Sequence, residues 1–175
     1  MRRVLYILGQ LSDQDVDWLA RTGERVNFVP GDIAIREGTR IDRIFFVVEG
    51  RFSVAIRDKE VARVGAGDIL GEMSLVDEGL ASASVTALST ARALVVSKDA
   101  VRARLEGDAH FAARFYKAIA IFLAERMRNT LLRLGYGDSI PEDIELRHDE
   151  LGPQILDTVH LAGGRFERLL KILRG

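Results

Sequence analysis

The sequence predicts a mostly β fold with flanking helices (α+β): an antiparallel β-roll of jelly-roll type, a long helix after it, and a small helical tail. Three observations carry this expectation. Short β-branched and aromatic runs alternate with turn residues from Val26 to Ser97. Apolar residues then recur at helical spacing from Ala109 to Leu134. Gly135-Tyr136-Gly137-Asp138 interrupts that periodicity, and shorter helical patterns follow. The expected division is residues 1–134, holding an N-terminal helix, the roll and the long helix, and residues 135–175, holding a hinge and the tail.

Each element has a local reason. Leu11 to Arg21 reads as a helix capped by Ser12, with Asp15 three residues on at capping-box spacing, and Val16, Leu19 and Ala20 form its apolar side. The strand runs are Val26–Val29, Ile33–Arg36, Ile44–Val48, Phe52–Arg57, Val61–Val64, Ser84–Ala87 and Ala93–Ser97. Between them stand Pro30-Gly31-Asp32, Glu37-Gly38-Thr39, Glu49-Gly50-Arg51, Asp58-Lys59-Glu60 and Gly65-Ala66-Gly67-Asp68, and Gly31, Gly38, Gly50 and Gly67 are expected at positive φ or tight corners. Asp99 to Glu106 reads as a short helix stopped by Gly107, after which Asp108 caps the long helix. That helix would span about 39 Å at 1.5 Å per residue. It has two apolar faces, one with Tyr116, Ala120, Leu123 and Met127 and one with Phe111, Phe115, Ile119 and Phe122. Two faces require two burial partners, the roll and either a second subunit or the chain's own C-terminus. In the tail, Pro153 starts a helix through Leu161, Gly163-Gly164 breaks it, and Arg165 to Leu173 forms a last amphipathic helix.

Composition narrows the function classes. The 175 residues are 47% hydrophobic, enough for a sizeable core. The formal charge of −1 argues against a non-specific nucleic-acid binder. With no cysteine, disulfides, thiolate metal sites and cysteine nucleophiles are excluded. The N-terminal apolar run, Val4 to Leu8, is too short for a signal or membrane segment, so a soluble cytoplasmic protein is the expectation. His110, His148 and His160 lack ligand spacing, and no hydrolase, zinc-protease or nucleotide-loop motif is present, so neither a metal site nor an enzyme is expected.

The stretch with most chemistry is Gly71 to Val85, GEMSLVDEGLASASV. A turn of helix after Gly71 would aim backbone N–H groups into a pocket, and Glu72 would add a carboxylate suited to a hydroxyl donor. From Val64 to Ala91 there is no Lys, Arg or His, so a phosphate cradle here has no local cation. The stretch resembles the phosphate-binding cassette of cyclic nucleotide-binding domains. Gly71, Glu72, Met73, Ser74 and Leu75 match its first half, and Ser82, Ala83, Ser84 and Val85 its second. Phe28-Val29-Pro30-Gly31-Asp32, Arg36-Glu37-Gly38, Ile44 to Gly50 and Gly65-Ala66-Gly67-Asp68 extend the resemblance over Val26 to Leu105.

The resemblance implies a ligand site at Gly71, Glu72, Met73, Ser74, Ala81, Ser82 and Ala83, a cyclic nucleotide or related small molecule as ligand, and no other cofactor. Glu72 would bind the ribose 2′-OH, and Ser82 and the Ala83 N–H would bind the phosphate. The family's phosphate-binding arginine falls on Ala81, which supplies no charge. Losing a charge-assisted bond worth roughly 1.5–3 kcal/mol lowers affinity about ten- to a hundredfold. Three readings follow: an arginine from elsewhere, such as Arg57, Arg92 or Arg126, reaches the site; the ligand is weakly bound or less charged; or the domain is a ligand-independent dimerisation and docking scaffold. The resembling transcription regulators use the long helix as a dimer seam, which here would comprise Phe115, Ile119, Phe122 and Arg126. They also carry a DNA-binding winged helix-turn-helix. The 37 residues after Asp138, with seven acidic and five basic side chains, are too short and too acidic for one, so DNA is not expected as a partner, and an atypical or truncated transcription regulator stays as a further alternative favoured only by the long helix and the last basic helix. The tail is expected to be a moving output or a protein-docking element.

Overall fold

The computed structural model describes residues 8–133 and 153–174. The expected hinge at Gly135 to Asp138 and the acidic segment that follows lie outside the described residues. In chain order the elements are α1 (Asp13–Thr22), β1 (Glu24–Phe28), β2 (Ile33–Ile35), β3 (Arg43–Glu49), β4 (Arg51–Ile56), β5 (Lys59–Gly65), β6 (Ile69–Leu70), α2 (Met73–Val76), β7 (Ser84–Ala87), β8 (Ala91–Ser97), α3 (Lys98–Gly107), α4 (Ala109–Arg133) and α5 (Pro153–Arg174).

The strands form two antiparallel four-stranded sheets, ordered β1-β8-β3-β6 and β2-β7-β4-β5, and the roll is not closed into a barrel. Turn chemistry sets the corners. Arg57 and Asp58 both take positive φ between the paired ends Ile56 and Lys59, a two-residue loop of the hand that suits strand twist. The expected turn at Asp58-Lys59-Glu60 is therefore shifted, with Lys59 and Glu60 inside β5. Gly31, Gly38, Gly50 and Gly67 all have positive φ. At Gly50 a Cβ would meet Ala91 at 2.4 Å, so the β3–β4 corner admits no side chain. The two-residue β6 escaped the sequence reading because it is short and embedded among glycines.

β3 explains how the layers stack. Its apolar run is buried on both faces. Phe45 and Val47 join Phe52, Val54, Val85 and Val95 in the cluster between the sheets. Ile44, Phe46 and Val48 point the other way, into a cluster with α1, α3, α4 and α5. That helical layer holds Phe111, Phe115, Ala118, Ile119 and Phe122 of α4, all at most 2% exposed. The seam expected at Phe115, Ile119 and Phe122 is thus filled from within the chain, because these side chains reach the helix-facing side of the β3 sheet. The outer side of α4 exposes Tyr116 and Met127 at 48% and 63%.

The helix ends follow their caps. The Ser12–Asp15 capping box is present at α1, and the Phe111 N–H donates to Asp108 Oδ1 at 2.9 Å at the start of α4. In the tail the expected break at Gly163-Gly164 is absent, and α5 runs through both glycines. Nothing lies within 4 Å of a Cβ built at either, whereas Ala162 and Leu169 are buried in the helical cluster, with Phe166 and Leu170 packed against it. Burial of that stripe, about 1.5–3 kcal/mol per large side chain, outweighs roughly 1 kcal/mol per glycine in helix propensity. Arg165 and Arg168 secure the docking by pairing with Asp13 and Asp17, each at 2.7 Å.

Candidate ligand-binding site

One concavity at the open end of the roll brings together Gly71, Glu72, Met73, Ser74, Ala81, Ser82 and Ala83. Its walls are Ile35, Ile41, Val54, Leu70, Leu80 and Val85, with Asp77 and Arg126 at its polar side. Ile35, Val54, Leu70 and Val85 of the walls are strand residues, Ile41 and Leu80 come from the loops before β3 and β7, and the polar groups come from the β6–β7 connection and from α4.

Gly71 has φ +83, and a Cβ there would sit 2.6 Å from the Arg43 carbonyl oxygen. Only glycine makes this corner, which turns the chain from β6 into the one-turn helix α2. Ser74 Oγ donates to the Gly71 carbonyl at 2.9 Å and stiffens the same corner. Across the pocket, Ala81 is locked by two backbone bonds of 2.8 Å, its N–H donating to Thr39 and its carbonyl accepting from Gly38. Its methyl is buried in the cluster between the sheets. The cassette position therefore holds a small side chain that is itself core, and Ser82 and Ala83 follow on the rim.

Glu72 is 2% exposed. Burial pushes its carboxyl up from the ordinary range, Asp68 adds to that, and Arg126 opposes both. The opposing contact is direct: Arg126 Nη1 donates to Glu72 Oε1 at 2.5 Å. Arg126 comes from α4, 54 positions away, and its side chain is one third exposed. Of the three arginines that could replace the missing cation, this is the one that lines the pocket. Arg92 pairs with Glu49 at 3.3 Å, and Arg57 is exposed in the β4–β5 turn.

Sequence reasoning missed Lys98. Its Nζ donates to the Ser74 carbonyl and also reaches Ser74 Oγ at 3.3 Å, beneath the cassette helix. A contact 24 positions apart between the first turns of two separate helices leaves no periodic trace. Among the described residues there is no group of three metal-ligating side chains, and no helix is long and apolar enough to cross a membrane.

Residues 25–108 match the family model described as cyclic nucleotide-binding domain. The chain is 29% identical over 159 residues to the human voltage-gated delayed rectifier potassium channel KCNH1, a match that covers 90% of this chain and 16% of the channel. Among solved structures, a cyclic nucleotide-binding domain from Methylobacillus flagellatus superposes with a TM-score of 0.68 at 24% identity, covering 75% of this chain and 80% of that one. The N-terminal domain of a transcriptional regulator from Streptomyces coelicolor superposes at 0.60 with 27% identity, covering 73% and 94%.

Proposed function

We propose that the chain is a regulatory module of the cyclic nucleotide-binding type, the family whose model residues 25–108 match, in which Arg126 supplies the charge that Ala81 lacks. The observation that carries this is the Arg126–Glu72 bond inside the pocket. In this reading Glu72 takes the sugar hydroxyl, Ser82 and the Ala83 N–H take phosphate oxygens, and the Arg126 guanidinium turns from Glu72 to the anion. A guanidinium has five donors in a fixed fork, so it can serve both acceptors or exchange between them. Since Arg126 rides on α4, ligand entry and helix position are coupled, a population shift between two packings of α4 and the tail. The role is binding and signalling, without catalysis.

The test is calorimetric titration of cyclic AMP and cyclic GMP into the native chain and into Ala81→Arg. The account expects native binding in the micromolar range and at most a small gain from the added arginine, because a cation already reaches the site.

A second reading rests on the same bond. If Glu72 and Arg126 stay paired, the pocket is closed by its own side chains and the domain is a ligand-independent scaffold. No heat with either nucleotide for the native chain, together with binding by Ala81→Arg, would favour it.

A further inference from the structure

Lys98 opens α3 and is 7% exposed. Its Nζ bonds only to Ser74, through the carbonyl and the hydroxyl, and it forms no ion pair among the described residues. Burial pushes this amine below the ordinary lysine range, and the like charges of Arg102 and Arg40 add to the shift against Glu78 and Asp77. A buried amine that bonds no carboxylate is unfavourable, and an apolar side chain of similar volume fills such a site at lower cost. Fold stability alone is therefore a poor reason for a lysine here. The recess beside it holds Arg40 and Arg102 together with Asp42, Glu78 and Asp99, and Arg102 is bonded to Glu78 at 2.6 Å.

What Lys98 does hold is the cassette. α2 is one turn long, too short to stabilise itself through internal hydrogen bonds. Ser74 is its second residue, and Ser74 Oγ in turn bonds the Gly71 carbonyl. The chain of contacts runs Lys98, Ser74, Gly71, and then Glu72, which faces the pocket. The backbone N–H of Lys98 donates to the Asp42 carbonyl at 2.8 Å, and the Arg43 carbonyl is the atom that crowds Gly71. The same short segment thus fixes both ends of the tie.

We propose that Lys98 is a positioning residue of the ligand pocket: through Ser74 it seats α2 so that Gly71 and Glu72 keep the geometry that ligand binding requires. The proposal rests on the reading of this pocket as a ligand site. The test combines cyclic AMP titration with amide exchange on the full chain.

Lys98→Met is expected to weaken cyclic AMP about tenfold. It is also expected to remove exchange protection from the amides of residues 73–77 while β8 and α3 stay as protected as in the native chain. Ser74→Ala cuts one strand of the same tie, so the losses in the double variant should be less than additive. Native-like protection at 73–77 in Lys98→Met, or protection lost evenly across α2, β8 and α3, would overturn the proposal, as would fully additive losses in the double variant. Should Lys98→Met fail to fold, Lys98→Gln, one bond shorter, carries the same comparison. If the native chain binds no cyclic AMP, the ligand reading fails by itself, and the exchange pattern still decides whether Lys98 holds the cassette.

Discussion

Asp15 is 1% exposed, and four donors surround its carboxylate: the Ser12 N–H at 2.8 Å, Arg104 Nη2 at 3.1 Å, and Arg114 Nε and Nη2 at 2.7 and 3.1 Å. Burial pushes the Asp15 carboxyl up, but the Arg114 bond, the bonds with Ser12 and the Arg114 charge outweigh it and hold it below the usual carboxylate range. The Arg104 guanidinium also lies 4.6 Å from the Trp18 ring centroid and 4.5 Å from that of Phe111. One carboxylate therefore ties α1 to α3 and α4. A carboxyl with a lowered folded pKa contributes stability above its unfolded pKa and loses it as pH falls through the folded value. Asp15→Asn should lower unfolding free energy by about 1–3 kcal/mol at neutral pH and flatten the acid limb of the stability profile, read by urea titration from pH 7 downward. An acid limb of unchanged slope would show that other carboxylates govern it. At Gly71, φ and crowding act together, so Gly71→Ala should destabilise the domain by about 1–3 kcal/mol in the same assay. A loss under a few tenths would mean that the corner relaxes.

At the scale of elements, the informative one is α4. Its two apolar faces were legible from spacing, because the residues repeat at helical intervals. Which face turned inward was not legible, since a phenylalanine stripe suits a sheet surface and a dimer seam equally. The structure turns Phe111, Phe115, Ile119 and Phe122 inward and leaves Tyr116, Ala120 and Met127 outside. A self-association seam on α4 would therefore use the outer residues. Met127→Glu should weaken association in sedimentation equilibrium without changing the thermal midpoint, whereas a native chain that stays monomeric at high concentration would remove the seam altogether. α5 teaches the complementary lesson. Two adjacent glycines read as a break when only local propensity is considered, and tertiary burial of Ala162, Phe166 and Leu169 overrides it. The ion pairs to Asp13 and Asp17 could not be read from sequence, because they join positions some 150 apart.

At the scale of the molecule, the roll and its cassette were readable because turn residues and the Gly-Glu step are local signals. The residues that connect the site to the rest of the chain were harder to see. Arg126 stood among three candidate cations, and only the fold showed that it lines the pocket; Lys98 left no signal. Both act across the same junction, where Leu75 of α2 and Phe122 of α4 belong to one buried cluster. A ligand that draws Arg126 from Glu72 therefore acts on a helix whose other end packs with α1, and through α1 with the docked tail. The central claim is that Arg126 reads the anion, and the most direct test compares cyclic AMP with adenosine, its uncharged counterpart, on the native chain and on Arg126→Gln. The account predicts that the native chain prefers cyclic AMP by about tenfold or more and that the preference collapses in Arg126→Gln. An equal preference in both proteins, or none in the native chain, would contradict it.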